Sequence, residues 1–249
     1  MFKNTIKQSI RRLGYVASRY DKRRDPEAMR HSLLDAAGVT MVLDVGANAG
    51  QYAARLRGLG YRGQIASFEP LTDAFRELQA RARDDESWSV HNCAVGASDG
   101  RCTIHVAGNS ASSSLLEMLP RHLQAAPHSA YVGREEVAIR SLDSLLPELP
   151  SSGGTTFLKI DAQGYTSQVL AGANRSLEKI VGLEVELSTV SLYEGEPLIH
   201  EVLANLHQAG FALHFLEPEL LDEGSGQQLQ LNGLFFRPAR ARPSRSAAA

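Results

Sequence analysis

Val42-Leu43-Asp44-Val45-Gly46-Ala47-Asn48-Ala49-Gly50-Gln51-Tyr52 is an apolar run that meets an acid, passes through a glycine-containing turn and leaves as helix-forming sequence. A buried strand, a glycine turn and a helix in that order open a doubly wound α/β fold, and the glycines let the backbone approach a ligand that a Cβ would hold away. The dinucleotide fingerprint G-x-G-x-x-G requires a third-place glycine, and here that place is Asn48, which argues against a bound pyrophosphate. The D-x-G-x-x-x-G spacing instead suits a cofactor whose amino-acid end lies over the turn, with Asp44 near an ammonium and backbone N–H groups near a carboxylate.

Outward from this turn, short β-rich runs alternate with helical stretches, the signal for a mostly parallel sheet covered on both faces. Strands are expected at 39–45, 64–68, 87–95, 101–107, 136–140, 155–160 and 181–187, and helices at 51–59, 72–83, 166–180 and 197–209. Two closing strands at 212–216 and 229–236 are separated by a short turn-rich piece, which favours an antiparallel pair over a crossover. The expectation is therefore a Rossmann-like, doubly wound, mostly parallel α/β sheet with an antiparallel C-terminal pair, spanning 39–238. Residues 1–38 read as a basic, amphipathic helical extension, and 239–249, rich in Arg, Pro, Ser and Ala, as a disordered tail.

Charged residues at the ends of apolar strands must reach water, a partner or a ligand, and ligands of open α/β sheets sit beyond the carboxyl ends of the strands. Glu69 follows the second strand 23 positions after Gly46, where an acid can accept both hydrogen bonds of a ribose diol. Asn92, Cys93 and Ala94 close the third strand and would lie beside the adenine of such a cofactor, although such residues also serve as turn makers. Asp161 and Gln163 follow the fourth strand, and Glu184 and Glu186 share one face of the fifth at i, i+2 spacing. One of these two glutamates is expected to face the site and the other to pair with Lys159 or an arginine.

Composition narrows the function classes. A formal net charge of −2 over 249 residues does not suit a duplex nucleic-acid binder. Residues 1–30 hold nine Lys or Arg against three acids, leaving 17 basic and 25 acidic residues in the remainder. Ile6, Ile10, Leu13 and Tyr20 form an apolar stripe in that basic segment, open to docking on the domain, an oligomer contact or peripheral contact with an anionic membrane. The two cysteines, Cys93 and Cys102, lack metal-ligand spacing, so neither a metal site nor a disulfide framework is expected. No run approaches the roughly 20 apolar residues that span a bilayer, and the expected location is cytoplasmic.

With these motifs in hand, the chain resembles the FkbM-type methyltransferases over roughly residues 40–237. The resemblance rests on 42–52, Ser67-Phe68-Glu69-Pro70, Asn92-Cys93-Ala94-Val95-Gly96, Ser112-Ser113-Ser114-Leu115, 158–165 with 169–173, and Leu183-Glu184-Val185-Glu186-Leu187 with Leu192-Tyr193-Glu194-Gly195. It implies S-adenosyl-L-methionine as methyl donor and a hydroxyl acceptor on a sugar, glycolipid or natural product. By position it makes Asp44, Gly46, Asn48, Gly50, Glu69 and Asp161 cofactor-side residues, with the serine cluster, Ser113 included, closing over the site. One departure stands out: the family often carries an acid in a Q-x-D-x-x-F pattern, and this chain has Gln230-Leu231-Asn232-Gly233-Leu234-Phe235.

Methyl transfer to a neutral hydroxyl gains from alignment and from a base. Asp161 or Glu184 is expected to position or deprotonate the acceptor, with Glu186, Tyr193, His105 and His200 as further candidates and the loops 108–134 and 187–197 as its pocket. A nucleotide-dependent oxidoreductase and a non-catalytic cofactor-binding scaffold are the rival readings.

Overall fold

The computed structural model describes residues 11–14, 25–150 and 153–238. The strand that carries the glycine turn forms as β1 (Val39–Val45), flanked in parallel by β2 (Gln64–Phe68) and β7 (Thr155–Ile160). Parallel pairing continues outward to β3 (Trp88–His91) beyond β2 and to β8 (Ile180–Ser188) beyond β7. β10 (Gln230–Phe236) runs antiparallel to β8 and pairs antiparallel on its other side with β9 (Ala212–Pro218). The order is β3-β2-β1-β7-β8-β10-β9, so the expected Rossmann-like sheet with its antiparallel pair is present, β10 being inserted inside the edge strand.

Side chains alternate between the two faces of a strand, so a strand buried on both faces reads as a nearly continuous apolar run. Val42, Ile65 and Phe157 stand in register and pack with Leu34, Ala53, Leu56 and Leu78. These come from α1 (Pro26–Ala36), α2 (Gln51–Gly58) and α3 (Thr72–Ala82). Leu43, Ala66 and Leu158 form the opposite face with Leu142, Val169, Val202 and Leu206. The helix α1 starts where Asp25 accepts from the Glu27 and Ala28 N–H groups, with Pro26 in its first turn. Although it falls in the segment read as an extension, α1 buries Arg30 and Leu34 against the sheet. Most of the apolar stripe at 3–20 and the whole of the tail at 239–249 lie outside the described residues.

Four boundaries differ from the sequence reading. The strand expected at 87–95 breaks at Asn92 and Cys93, and its end, β4 (Ala94–Val95), joins a second sheet with β6 (Tyr131–Arg140) and β5 (Gly100–Ala107). The strand expected at 136–140 is the second half of β6, which pairs along most of its length with β5. The helix expected at 166–180 is only α4 (Thr166–Ala171), because the Asp143 carboxylate takes the Arg175 and Ser176 N–H groups and holds the chain in a turn there. The helix expected from Pro197 begins at Ile199, where Glu201 accepts from the Leu198 N–H. Among the described residues, no helix is long and apolar enough to cross a membrane.

Candidate active site

Positive φ recurs at every second residue of the turn after β1: +73° at Gly46, +47° at Asn48 and +81° at Gly50. Asn is one of the few residues with a side chain that enters this region readily, which accounts for its place between two glycines. A Cβ at Gly46 would run into the main-chain carbonyl of Asp161, so the turns after β1 and β7 touch only because Gly46 has no side chain. The raised Asn48 N–H donates to Glu69 Oε2 at 2.8 Å, and the Leu71 N–H donates to Oε1 at 2.9 Å. Both oxygens are fixed and keep spare lone pairs. Burial pushes the Glu69 carboxyl up to about 7, against the lowering effect of those two N–H groups.

This carboxylate lies in the wall of a pocket beyond the carboxyl ends of β1, β2 and β7. Of the residues singled out from sequence, Gly46, Asn48, Glu69, Cys93, Ala94, Ser113, Asp161 and Gln163 come together in its lining. Phe68, Leu71, Ile104 and Tyr165 give the apolar part of the wall, Ile104 being brought there by the second sheet. An apolar slot beside a fixed acid suits a planar base joined to a sugar diol.

Asp44, Gly50, Asn92 and Glu184, each expected at the site, do not line this pocket. Asp44, expected near an ammonium, is fully buried beneath the turn, where Oδ2 accepts from Ser67 Oγ at 3.1 Å and Lys159 Nζ stands 3.4 Å from Oδ1. Gly50 instead starts α2 and is packed against the Leu78 and Trp88 side chains. Asn92 braces Glu69 from outside by donating to the Glu69 and Pro70 carbonyls. Glu184, expected as a base, has both oxygens engaged: Arg30 grips them through Nε and Nη2, and the Tyr52 hydroxyl donates to Oε2 at 2.8 Å. A carboxylate so bound is a structural anchor between the sheet and its covering helices.

Register explains this division. Ser67, Asp44, Lys159 and Glu184 are direct neighbours across β2, β1, β7 and β8, and therefore form one polar row on the face covered by α1 and α2. Trp88 Nε1 donates to Ser67 Oγ at one end, and Arg30 closes the other end on Glu184. The ring of Tyr52 lies beneath both cations, 5.3 Å from Lys159 Nζ and 5.8 Å from the Arg30 guanidinium carbon. Burial alone would lower the Lys159 pKa, but the Asp161 and Asp44 carboxylates outweigh it and keep the ammonium charged. Glu69, Gly46, Asp161 and Glu186 each follow this row by two residues and rise from it toward the site.

Gln163, also at positive φ (+46°), ties the acidic part of the site together. Its amide nitrogen donates to Asp161 Oδ1 at 2.8 Å and lies 3.2 Å from each oxygen of Glu186, while its amide oxygen accepts from the Tyr193 hydroxyl at 2.7 Å. Burial, with Asp161 and Glu219 nearby, pushes the Glu186 carboxyl well above the ordinary range. Asn232 sits opposite Glu186 and Glu217 and donates to Glu219, so the amide occupies a place where a further carboxylate would face three others. Among the described residues, no three acidic, His or Cys side chains are grouped to hold a metal ion.

The serine cluster bridges both turns. Asn48 Nδ2 donates to Ser110 Oγ at 2.9 Å, Ser114 Oγ donates to the Gln163 carbonyl at 2.6 Å, and the Tyr193 hydroxyl lies 3.1 Å from the Ser112 carbonyl. The loops 108–134 and 187–197 meet where Met118 pairs with Tyr193, and the buried Glu196 holds the second by accepting from the Tyr193 N–H and Ser188 Oγ. His105 stacks on Tyr131 at 4.8 Å, and neither it nor His200 lines the pocket. Sequence reasoning gave no site role to Arg30, Glu217 or Glu219, which line a second, polar cavity with Lys159 and Glu184. Arg30 and Glu184 are separated by 154 positions, and no local spacing signals such a pair.

The family model described as the Methyltransferase FkbM domain matches residues 44–213. The 2-O-methyltransferase NoeI of Sinorhizobium fredii is 25% identical over 169 residues, covering 66% of this chain and 69% of the relative. Among solved structures, an rRNA methylase from Streptococcus thermophilus aligns over 89% of this chain and 99% of its own, at 12% identity and a TM-score of 0.44. Precorrin-6y C5,15-methyltransferase from Geobacter metallireducens covers 90% and 93% respectively, at 9% identity and a TM-score of 0.45.

Proposed function

The chain belongs to the FkbM methyltransferase family, and from that premise we propose that it is an S-adenosylmethionine-dependent O-methyltransferase acting on a hydroxyl of a sugar, glycolipid or natural product. The observation that carries the cofactor reading is Glu69, held by two backbone N–H groups beside an apolar slot and the glycine turn. Its carboxylate would take the ribose hydroxyls, Cys93 and Ala94 would border the adenine, and Gly46, Asn48 and Asp161 would border the amino-acid end. Ser113 closes the same pocket. When bound, S-adenosylmethionine supplies an electrophilic methyl group whose transfer neutralises a sulfonium.

The protein's part is then alignment and proton removal. Asp161 meets both requirements: it lies in the pocket wall, and Lys159 at 3.2 Å and the Gln163 amide at 2.8 Å fix its carboxylate. It would accept the acceptor's hydroxyl proton as the new oxygen–carbon bond forms. Glu186, bound to the same amide, would hold or relay that proton, and Tyr193 keeps Gln163 oriented. A hydroxyl acceptor agrees with the name of the relative, a 2-O-methyltransferase. Incubation with methyl-labelled cofactor and a panel of saccharides, glycolipids and hydroxylated natural products tests the reading. Label in a methyl ether supports it, and intact binding of S-adenosylhomocysteine without transfer to any of these would overturn it.

A further inference from the structure

The polar cavity and the Glu69 pocket share Gly46, Asn48, Ala111 and Asp161, so they meet around the glycine turn. The polar cavity continues past this turn over Lys159 to Arg30, which α1 contributes from outside the 44–213 family match. The Arg30 side chain is 1% exposed. Nε and Nη2 are taken by Glu184, and Nη2 also reaches Glu217 at 2.7 Å, but the buried Nη1 has no hydrogen-bond partner. An unpartnered donor on a buried cation is costly and rare enough to require an explanation.

We infer that Arg30 is a cofactor ligand whose unpartnered Nη1 receives the carboxylate of the cofactor's amino-acid end. This rests on the cofactor reading above. The charge pattern agrees with it: three cations (Arg30, Arg55 and Lys159) and four carboxylates line the cavity, both signs in one space, as the zwitterionic end of an α-amino acid requires. Lys159 is already engaged by Asp44 and Asp161, and Arg55 is half exposed beside Glu27, so among the described residues of this cavity Arg30 is the buried cation with an open donor. The segment before β1 is on this account part of the cofactor site.

The test compares calorimetric binding of S-adenosylhomocysteine, which has the carboxylate, with 5′-methylthioadenosine, which lacks it. Arg30→Lys keeps a positive charge opposite Glu184 but loses the guanidinium fork. It should weaken S-adenosylhomocysteine by about tenfold or more, the scale of one charge-assisted hydrogen bond, and leave methylthioadenosine within about twofold. The double variant Arg30→Met/Glu184→Gln removes both buried charges together and should show the same selective loss. Methylthioadenosine binding reports that each variant is folded with an intact adenosine pocket. Loss of both ligands alike would mean a purely structural arginine and, like no loss of either, would overturn the inference. Failure of the wild-type protein to bind S-adenosylhomocysteine would overturn the underlying cofactor reading as well.

Discussion

Lys159 Nζ lies 3.2 Å from Asp161 Oδ2 in the pocket wall, and the same atom stands 3.4 Å from the fully buried Asp44 Oδ1. One ammonium thus joins the charge row inside the sheet to the carboxylate at its rim. Such an ion is retained where breaking the pair would leave an uncompensated buried charge.

Lys159→Met should therefore lower stability by about 3–5 kcal/mol near neutral pH, measured by urea denaturation. The loss should shrink on acidification, because burial already favours the protonated form of Asp44. Lys159→Met/Asp44→Asn should recover much of it, and a stable single variant would show that the row is not held by this ion.

Glu69 makes cofactor affinity depend on pH. Its carboxyl is raised from 4.5 to about 7, chiefly by burial, and a ribose diol donates best to the ionised form. Affinity for S-adenosylhomocysteine should rise by about tenfold per pH unit below 7 and level off above it. Without ligand the sign is opposite: the native protein retains a proton that the unfolded chain releases above about 4.5, so this group's contribution to stability declines from about pH 4.5 to about 7. Glu69→Gln should bind more weakly and with a flat profile; a pH-dependent Gln variant would assign the titration to another group.

Asp161→Asn should reduce kcat by about 100-fold or more, while binding of S-adenosylhomocysteine changes less. Glu186→Gln should have a smaller effect on kcat and should displace its pH profile, because Glu186 is bound to the same Gln163 amide and titrates well above the ordinary range. Unchanged turnover in Asp161→Asn would remove that residue from the chemistry.

The two glycines that flank Asn48 should respond differently to a methyl group. Gly46→Ala meets a main-chain carbonyl that cannot turn aside and should cost at least about 2 kcal/mol together with ligand binding. Gly50→Ala meets the Leu78 side chain at 2.8 Å and the Trp88 ring at 3.0 Å, which leaves some room for adjustment. Thermal denaturation of both variants should rank Gly46→Ala as the less stable, and the reverse order would put the close approach at the wrong turn.

Gly46, Glu69 and Asp161 were legible because their signal is local: each ends an apolar strand, and the sheet topology sends such ends to one edge. Glu184 and Glu186 were legible only as a pair. Spacing of i, i+2 puts both on one face, and the choice between them was made by Arg30 and Tyr52, which arrive from two helices. Arg30 itself looked like one of nine basic residues in a terminal segment, since a contact across 154 positions leaves no periodicity to read. The break at Asn92 and Cys93 was hidden for a related reason: Ala94 and Val95 continue an apolar run that either sheet could pair, and their partners Ile139 and Arg140 lie 45 positions away.

Crystallography of the protein with S-adenosylhomocysteine would locate the adenosyl group relative to Glu69. The ligand should lie beyond the ends of β1, β2 and β7, with both ribose hydroxyls on the Glu69 carboxylate and the amino-acid end over the Gly46 turn. A ligand bound elsewhere, or a ribose that makes no contact with Glu69, would contradict the account.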